Sequence, residues 1–323
     1  MENYRLGGQR ADAPLTNHRI KDEAMDQTDK PNSGINIQWY PGHMTKTKRM
    51  LAENISLVDI VIELLDARIP FSSKNPDIEP IISSKRRIVA LNKADLADKL
   101  VTAKWLEYYA AKGAAPVACE CLSGKGLEQI MKQAVSLMQP KIDSLRAKGR
   151  ISYTIRAMII GVPNVGKSTL INKYAGRGSA KTADRPGVTR GKQWIHVNKE
   201  FELLDTPGIL WPRFDDKRVG QNLAFCGSVN DEILDLAELA VEFISRIRTK
   251  YSDAVKVRYG IDFDDSIPPA EVLERIAEKR GFLQKGGKLD IGRAAIILLD
   301  EFRGGKLGRL SLESPEDIRV IAD

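Results

Sequence analysis

The chain of 323 residues carries 50 Lys and Arg residues against 43 Asp and Glu residues, which gives a formal net charge of +7. This length is enough for about two domains with buried cores, and a content of 42% hydrophobic and 29% charged residues excludes a disordered or collagen-like chain. The basic balance favours a polyanionic partner such as nucleic acid, although surface charge that serves only solubility explains it equally well.

The first 34 residues are polar and lack hydrophobic periodicity, which predicts a mobile tail. They mix six acids with five Lys and Arg residues, and this acid content argues against a mitochondrial presequence. The pattern changes at residue 35. A helix-like stretch at 45–54 then leads into an apolar run at 57–65.

Short apolar runs that end in loop-type residues predict buried parallel strands at residues 87–91, 115–118 and 155–160. Helix-compatible stretches alternate with them at residues 75–83, 101–111 and 127–138. This alternation is typical of an α/β sheet with helices on both faces. Residues 193–197 and 201–204 then resemble a hairpin.

Beyond residue 211 the strand-like pattern stops and apolar residues recur at roughly helical spacing, at 228–249, 269–280, 291–301 and 315–322. The sequence therefore predicts three parts. They are a mobile polar tail over 1–34, an α/β domain over 35–212 and a smaller all-α domain over 213–323.

Three cysteines, Cys119, Cys121 and Cys226, cannot all pair, and the first two are too close for an ordinary disulfide. We therefore expect a protein of the reducing cytoplasm. No apolar stretch approaches the ~20 residues that span a bilayer, and the first 20 residues lack the apolar centre of a signal peptide. We expect neither secretion nor membrane insertion.

Residues 161–168 read Gly-Val-Pro-Asn-Val-Gly-Lys-Ser between a predicted strand and a predicted helix, which is the full phosphate-loop signature in its usual context. In such a loop, backbone N–H groups wrap the α- and β-phosphates at a helix N-terminus. Lys167 is expected to reach the β- and γ-phosphates, and the Ser168 hydroxyl can bind Mg²⁺. The predicted nucleotide contacts of this loop come from Asn164, Val165, Gly166, Lys167, Ser168 and Thr169.

The run Asp-Thr-Pro-Gly at 205–208 follows another predicted strand, at the kind of sheet edge where ligands bind. Asp205 can hold Mg²⁺ through water, and the amide of Gly208 can sense the γ-phosphate.

The run Asn-Lys-Ala-Asp at 92–95 selects the base. The carboxylate of Asp95 can accept hydrogen bonds from the N1–H and exocyclic amino group of guanine, neither of which adenine offers. Asn92 can bond the purine edge, and the Lys93 stem can pack on the ring. Ser123 and Gly124 lie in a turn whose backbone could bond guanine O6, although Ser-Gly is a common turn. Together these motifs predict binding of GTP and GDP.

The order of the motifs is unusual. In most GTPases the phosphate loop precedes Asn-Lys-x-Asp, whereas here Asn92 comes about 70 residues before Gly161. The sequence therefore predicts a circularly permuted P-loop GTPase domain with the order Asn-Lys-x-Asp, Ser-Gly-Lys, phosphate loop, switch Thr and Asp-x-x-Gly. Permutation connects the γ-phosphate sensor directly to the helical domain, which gives nucleotide state a route to reposition that domain.

This motif order resembles that of the bacterial ribosome biogenesis GTPase A (YlqF-type) family. The runs Trp-Tyr-Pro-Gly-His-Met at 39–44 and Asp-Ala-Arg-Ile-Pro at 66–70 and the helical tail domain extend the resemblance over about residues 35–323. It implies a cytoplasmic GTPase that acts late in assembly of the large (50S) ribosomal subunit. It also implies a helical domain similar to RNA-binding antiterminator helices, and contact of both domains with 23S rRNA.

Many GTPases place a Gln directly after Asp-x-x-Gly to orient the attacking water, but this chain has Ile209 there. In the family that the chain resembles, the His of Trp-Tyr-Pro-Gly-His-Met is proposed for that role, which implies His43. Histidine suits the task because its ordinary pKa lies near neutrality. The alternatives are slow hydrolysis and a His43 that is only a loop or cap residue before the helix at 45.

Relatives with Asn at the position of Asn164 often use K⁺ as a positive charge between the phosphates. The alternative is that Asn164 only supports the loop turn, and hydrolysis compared in K⁺ and Na⁺ separates the two. Thr189, in the run Arg-Pro-Gly-Val-Thr-Arg at 185–190, is the candidate switch Thr that completes Mg²⁺ coordination and contacts the γ-phosphate.

Residues 275–309 include nine Lys and Arg residues but only four acidic residues. This excess of positive charge favours salt-dependent binding of RNA phosphates. The alternative is a solvated helix face. The candidate RNA contacts are Lys285, Lys288, Arg303 and Lys306.

These expectations describe a monomeric switch whose GTP-bound form docks on a precursor of the large subunit and whose hydrolysis, triggered by that particle, releases it. No membrane or DNA partner is expected. Two alternatives remain open: a non-catalytic GTP-sensing RNA-binding scaffold, and a GTPase that serves tRNA modification or stress control.

Overall fold

The computed structural model describes residues 42–176, 194–206, 208, 210, 214 and 216–319. Contacts between residues divide the chain into residues 1–34 and 35–323, and every described residue belongs to the second unit. The tail predicted over 1–34 lies outside the described residues and stays a prediction. Among the described helices, none combines the length and apolar character required to cross a bilayer.

The described residues form one six-stranded sheet. Its strands are β1 (Ile60–Asp66), β2 (Arg86–Asn92), β3 (Ala115–Ala118), β4 (Ile155–Ile160), β5 (Trp194–Asn198) and β6 (Phe201–Leu204). Their order across the sheet is β3-β2-β1-β4-β6-β5, and neighbours are parallel except for the antiparallel pair of β5 and β6. The predicted parallel strands and the predicted hairpin are confirmed.

Five helices accompany the sheet in the first half of the chain: α1 (Gly42–Ile55), α2 (Glu79–Ile82), α3 (Lys99–Ala111), α4 (Leu127–Ala147) and α5 (Lys167–Ala175). The stretch predicted at 75–83 is split into a 3₁₀ turn (Pro76–Ile78) and the short α2. Helix α4 continues well past its predicted end at 138, because Ile142 still packs against the core and Pro140 is accommodated inside the helix.

Side chains of the central strands alternate between two apolar cores. Ile88 and Ala90 of β2 belong to the core that contains Ile130 of α4, whereas Val89 and Leu91 pack in a second core with Trp105 of α3. A strand covered on both faces must be apolar at nearly every position, which explains the continuous runs in the sequence. The expectation of helices on both faces of the sheet is confirmed.

The rest of the described chain is mainly helical. Its α-helices are α6 (Lys217–Phe225), α7 (Leu236–Tyr259), α8 (Pro269–Lys279), α9 (Ile291–Arg303) and α10 (Pro315–Arg319). The predicted start of α7 at 228 is wrong, because Asp235 caps the helix by accepting bonds from Ala237 N and Glu238 N, each at 3.0 Å. Helix α6 was not predicted. All of its residues from Val219 to Phe225 are buried, the polar Gln221 and Asn222 included, so its polar side faces the protein and not solvent.

A buried ion pair lies between the end of β1 and helix α9. The Arg68 guanidinium bonds Asp66 at 2.8 Å, and both side chains are at most 2% exposed. Arg68 also lies 4.8 Å from the ring centroid of Phe302 and donates to its carbonyl oxygen at 3.4 Å. Burial opposes the charged form of Asp66, but Arg68 and Lys93 outweigh it and hold the pKa of Asp66 well below its usual range.

A second buried carboxylate, Glu313, joins the segment before α10 to the turn after β1 and to α6. It accepts hydrogen bonds from Phe71 N at 2.9 Å, from Ser72 N at 3.1 Å and from the Ser72 hydroxyl. Asn222 Nδ2 of α6 donates to it at 2.9 Å. Burial raises the pKa of Glu313 in spite of these donors. The helical part is therefore fixed to the sheet by buried polar groups as well as by apolar packing.

Candidate functional site

The motifs that carry the predicted chemistry meet at one edge of the sheet. Strand β2 ends at Asn92, β4 ends directly before Gly161, and β6 ends directly before Asp205. These strands run parallel to one another, so their carboxyl ends share an edge. The permuted order along the chain therefore does not separate the motifs in space.

The phosphate loop is closely packed against the run that contains Asn92. Gly166 has a φ of +109°, and a Cβ atom there would lie 2.3 Å from Asn92 Nδ2. Both the backbone conformation and the space require glycine at this position. Asn164 also adopts a left-handed backbone, with a φ of +58°. Helix α5 begins at Lys167, so its N-terminal amides follow the loop directly.

Lys167 is the buried cation of the loop, with 7% of the residue exposed. Its ammonium donates to Gly161 O at 3.0 Å and to Val162 O at 2.9 Å. Burial lowers the pKa of Lys167 to about 8, against the opposing effect of the nearby Asp205 carboxylate. Burial likewise raises the pKa of Asp205. The ammonium is therefore held by neutral carbonyls, and an anionic ligand would supply the counter-charge that it lacks.

The Asn92 carboxamide bonds the protein itself. Its nitrogen donates to Val165 O at 2.7 Å, and its oxygen accepts from Cys121 N at 2.9 Å. Asn92 therefore ties the phosphate loop to the run at 121–125, whereas the sequence suggested a bond to the purine edge. Sequence reasoning missed this role because the backbone partners of a buried amide cannot be read from residue types.

The remaining residues predicted to contact the base lie around this bridge. Lys93, with a φ of +61°, places its ammonium 2.9 Å from Asp66 Oδ2. Asp95 is exposed to solvent. Ser123 is exposed as well, and its hydroxyl donates to Glu120 Oε2 at 2.9 Å. Gly124 N donates to Glu120 O at 2.8 Å and closes the turn.

The predicted metal ligand Asp205 and the predicted γ-phosphate sensor Gly208 lie near the ammonium of Lys167, and the second predicted metal ligand, Ser168, follows Lys167 in the chain. Asp205 is part-buried, and Ser168 is exposed at the start of α5. A Cβ atom on Gly208 would lie 2.9 Å from Pro163 Cα and 3.0 Å from Lys167 Nζ, so this position also requires glycine. The hydroxyl of Ser168 and the carboxylate of Asp205 are oxygen donors of the type that Mg²⁺ prefers.

For three predicted site residues the structure describes at most the backbone. His43 lies in the first turn of α1, which begins at Gly42, so it does not precede the helix as a loop residue. The side chain of His43 is outside the described part, as are Thr189 and Ile209. Their predicted roles stay predictions.

One contact that the sequence did not predict joins the phosphate loop to the helical part. Asn164 Nδ2 donates to Gly227 O at 2.8 Å, just beyond the end of α6. Arg303 of α9 also lies close to Gly227, because a Cβ atom there would be 3.2 Å from Arg303 Nε.

The structure corrects one predicted RNA contact. Arg303 donates to Phe225 O at 3.0 Å and Ala224 O at 2.9 Å, and it pairs with Asp231 at 2.6 Å. Its guanidinium therefore caps the carboxyl end of α6 and does not belong to an open phosphate-binding face. The other three candidates are exposed: Lys285, Lys288 and Lys306.

Comparisons with known proteins place this site in a family. A family model described as "50S ribosome-binding GTPase" matches residues 156–259. Ribosome biogenesis GTPase A of Bacillus cereus is 47% identical, over 87% of this chain and 95% of the relative. Ribosome biogenesis GTPase A of Thermotoga maritima is 34% identical, over 88% of this chain and 97% of the relative.

Two solved structures have the same fold. GNP-bound YlqF from T. maritima matches with a TM-score of 0.59 and 31% identity, over 84% of this chain and 99% of that chain. GDP-bound TM YlqF matches with a TM-score of 0.58 and 32% identity, over 83% of this chain and 100% of that chain. The protein, with its P-loop GTPase domain and carboxy-terminal helices, therefore belongs to the ribosome biogenesis GTPase A (YlqF-type) family.

Proposed function

We propose that this cytoplasmic protein binds GTP and hydrolyses it to GDP and phosphate, as a switch in late assembly of the 50S ribosomal subunit. The proposal rests on the phosphate loop. Its Lys167 is buried and has no carboxylate in direct contact among the described residues, and the loop adjoins the Asn-Lys-Ala-Asp run at the same edge of the sheet. The name of the relatives supports a role in ribosome biogenesis, and the GDP-bound and GNP-bound YlqF structures support a guanine nucleotide as the ligand.

Different predicted residues would bind the phosphates and the guanine base. The backbone of residues 164–169 would receive the phosphates, with the Lys167 ammonium turning from its two carbonyls to the β- and γ-phosphates. The exposed Asp95 would accept the guanine N–H groups, and the turn of Ser123 and Gly124 would meet guanine O6. Asn92 would fix the spacing between base and phosphate subsites, because it bonds both loops.

Ser168 and Thr189 would bind Mg²⁺ directly, and Asp205 would hold it through water. These residues suit Mg²⁺ because they offer hydroxyl and carboxylate oxygens, the donors that a hard cation prefers. Burial raises the pKa of Asp205, so its carboxylate would gain from a cation beside it. Bound there, the ion would neutralise charge on the β- and γ-phosphate oxygens. Gly208, whose backbone lies against the phosphate loop, would sense the γ-phosphate.

Hydrolysis requires attack of water on the γ-phosphorus as the bond to the β–γ bridging oxygen breaks. Ile209 cannot orient this water, so we assign that role to His43, in the first turn of α1. Asn164 would hold K⁺ through its side-chain oxygen, because its nitrogen is engaged by Gly227 O at 2.8 Å. A K⁺ ion there would add positive charge beside the phosphates.

The helical domain, over 213–323, would carry nucleotide state to the ribosomal particle. The bond from Asn164 to Gly227 joins the phosphate loop to the end of α6, which Arg303 of α9 also holds. The GTP-bound monomer would dock on a precursor of the large subunit, contact 23S rRNA and leave after hydrolysis stimulated by that particle. Ile209 favours one other function, that of a GTP-sensing RNA-binding scaffold without turnover.

The affinity for GDP should depend on pH through Lys167. Phosphates bind the protonated amine and raise its pKa, so binding weakens as pH rises through the free-state pKa of about 8. The protonated fraction falls from about 0.9 at pH 7 to about 0.25 at pH 8.5, which predicts an affinity loss of about fourfold. Fluorescence titration with methylanthraniloyl-GDP measures this affinity at each pH. Lys167→Met should bind the nucleotide weakly, with an affinity that changes less with pH. A wild-type affinity that is constant over this range would contradict the assignment.

Replacement of the proposed water-orienting residue should slow turnover without weakening binding. We expect His43→Ala to lower GTP hydrolysis in the presence of large-subunit precursors by about a hundredfold, the usual scale of a lost general acid–base group, with unchanged GTP affinity. His196→Ala is the control, because His196 is exposed in β5. Equal turnover of His43→Ala and wild type excludes His43, and absence of turnover in wild type supports the scaffold instead.

Depletion of the protein in cells tests the process. Ribosome profiles on sucrose gradients should then lose 50S subunits and gain a lighter large-subunit precursor. Complementation with wild type should restore the profile, and Lys167→Met should not. Normal large subunits after depletion would assign the GTPase to another process, such as tRNA modification or stress control.

A further inference from the structure

A second cleft lies at the opposite edge of the sheet from the phosphate loop. Its walls are the segments that lead into β1, β2 and β4, together with part of α4, and its volume is about 920 Å³. We name it the amino-edge cleft, because parallel strands begin there. This volume is at the upper end of the range of ligand pockets and far exceeds the space of a single inorganic anion. The residues of the nucleotide site do not line it.

The amino-edge cleft is basic. Two carboxylates face it, and each is paired, Asp59 with Lys141 at 2.7 Å and Glu202 with Arg156 at 3.2 Å. The five cations that line it are Lys85, Arg86, Lys141, Arg150 and Arg156. The lining residues therefore carry a net charge of +3, five cations less two carboxylates.

Three of these cations have no carboxylate partner among the described residues. Lys85 donates to Val58 O at 2.7 Å, Arg86 lies 3.4 Å from Met138 Sδ, and Arg150 donates to Ser152 O at 3.2 Å. All three acceptors are neutral, so the charges remain available to an anionic ligand. An anion that reached them would form charge-assisted hydrogen bonds, the stronger kind.

The floor of the cleft is fixed by Asp59. Its carboxylate accepts from the Tyr153 hydroxyl at 2.5 Å, from Lys141 at 2.7 Å and from Arg156 N at 3.0 Å. These bonds join the segment before β1 to α4 and to β4. The parts of the cleft wall before β1, in α4 and at the start of β4 are therefore held together before any ligand binds, which lowers the ordering cost of binding.

The spread of the cations indicates a ligand with several negative groups. Arg86 begins β2 and is in register with Ile60, which is in register with Ala157 of β4. Neighbouring strands are about 4.8 Å apart, so Arg86 and the start of β4 are about 10 Å apart. The strand starts that carry these cations are therefore farther apart than one phosphate group is wide, and successive phosphates along a polymer can span them.

Hydroxyl groups and exposed apolar side chains complete the lining and its rim. The hydroxyls belong to Ser56, Ser84 and Ser152, beside Tyr153 and Thr154, whose hydroxyls already donate to Asp59 and to Lys199 O. Serine, threonine and tyrosine hydroxyls join Arg and Lys as the usual donors to nucleic-acid phosphates. Ile151, next to Arg150, is 97% exposed and offers an apolar surface that a sugar or base can cover.

We propose that the amino-edge cleft binds the phosphodiester backbone of RNA. The nucleotide domain then contacts GTP at the carboxyl edge of its sheet and RNA at the amino edge, and both can be bound at once. The proposal rests on the proposed function in one respect, since the RNA in question is that of the large-subunit particle.

The test uses the full chain with Arg86→Gln and Arg150→Gln combined, because both side chains are exposed. A fluorescein-labelled 30-nucleotide RNA hairpin is the probe, with fluorescence anisotropy measured from 50 to 300 mM KCl. We expect at least tenfold weaker binding at 100 mM KCl. The slope of log affinity against log salt should fall in magnitude by about 1.5 to 2, the value for two lost phosphate contacts.

The matched control combines Lys112→Gln and Lys132→Gln, which removes two exposed cations from outside the cleft lining. Equal weakening by the two pairs, or unchanged binding by the cleft pair, overturns the proposal. Loss of binding to a 30-residue polyglutamate with RNA binding intact also overturns it and assigns the cleft to an acidic protein.

Methylanthraniloyl-GDP affinity reports whether each variant is folded. If the double variant fails to bind GDP, Arg150→Gln alone decides, because Arg150 lies in an exposed connection between α4 and β4. That variant should reduce the salt slope by about 0.7 to 1, and an unchanged slope overturns the proposal. The hairpin assay involves neither hydrolysis nor a ribosomal particle, so its failure is distinct from a failure of the proposed function in the depletion experiment.

Discussion

The buried ion pair of Asp66 and Arg68 is the interaction on which the arrangement of this protein depends. Charges this deeply buried are tolerated only when they are fully paired, and removal of one partner leaves the other uncompensated. Asp66 satisfies this condition by bonding both Arg68 and Lys93, and Arg68 by also reaching Phe302. A single carboxylate at the end of the central strand thus positions Lys93 of the Asn-Lys-Ala-Asp run and an anchor of α9.

The same edge of the sheet carries a second link between phosphate loop and helices. Asn164 bonds Gly227 O at 2.8 Å, and Arg303 caps the adjoining end of α6. Because circular permutation places the last sheet motif directly before α6, the helical part packs on the site without a long connection. Both links contain polar groups whose partners change if the loop moves, which is the kind of contact through which a nucleotide can shift a packed domain.

Much of the fold and of the candidate site could be predicted from the sequence, because the relevant signals are local. Short apolar runs that end in loop-type residues predict the parallel strands, and the Gly-Lys-Ser run predicts the phosphate loop. The misses depend on tertiary partners. Helix α6 was missed because its polar Asn222 is buried against Glu313. The bridge made by Asn92 depends on backbone groups of other segments, and Arg303 donates to backbone carbonyls of α6. No residue pattern reveals such partners in advance.

We propose that nucleotide binding changes the packing of α9 through Lys93, Asp66 and Arg68, beside the bond from Asn164 to Gly227 that reaches the end of α6. Amide hydrogen exchange of α9, with and without GDP, can be measured in wild type and in Arg68→Leu. We expect slower exchange of α9 when GDP binds wild type, and loss of that difference in an Arg68→Leu protein that still binds GDP. Exchange in α9 that is the same with and without GDP in wild type would contradict it.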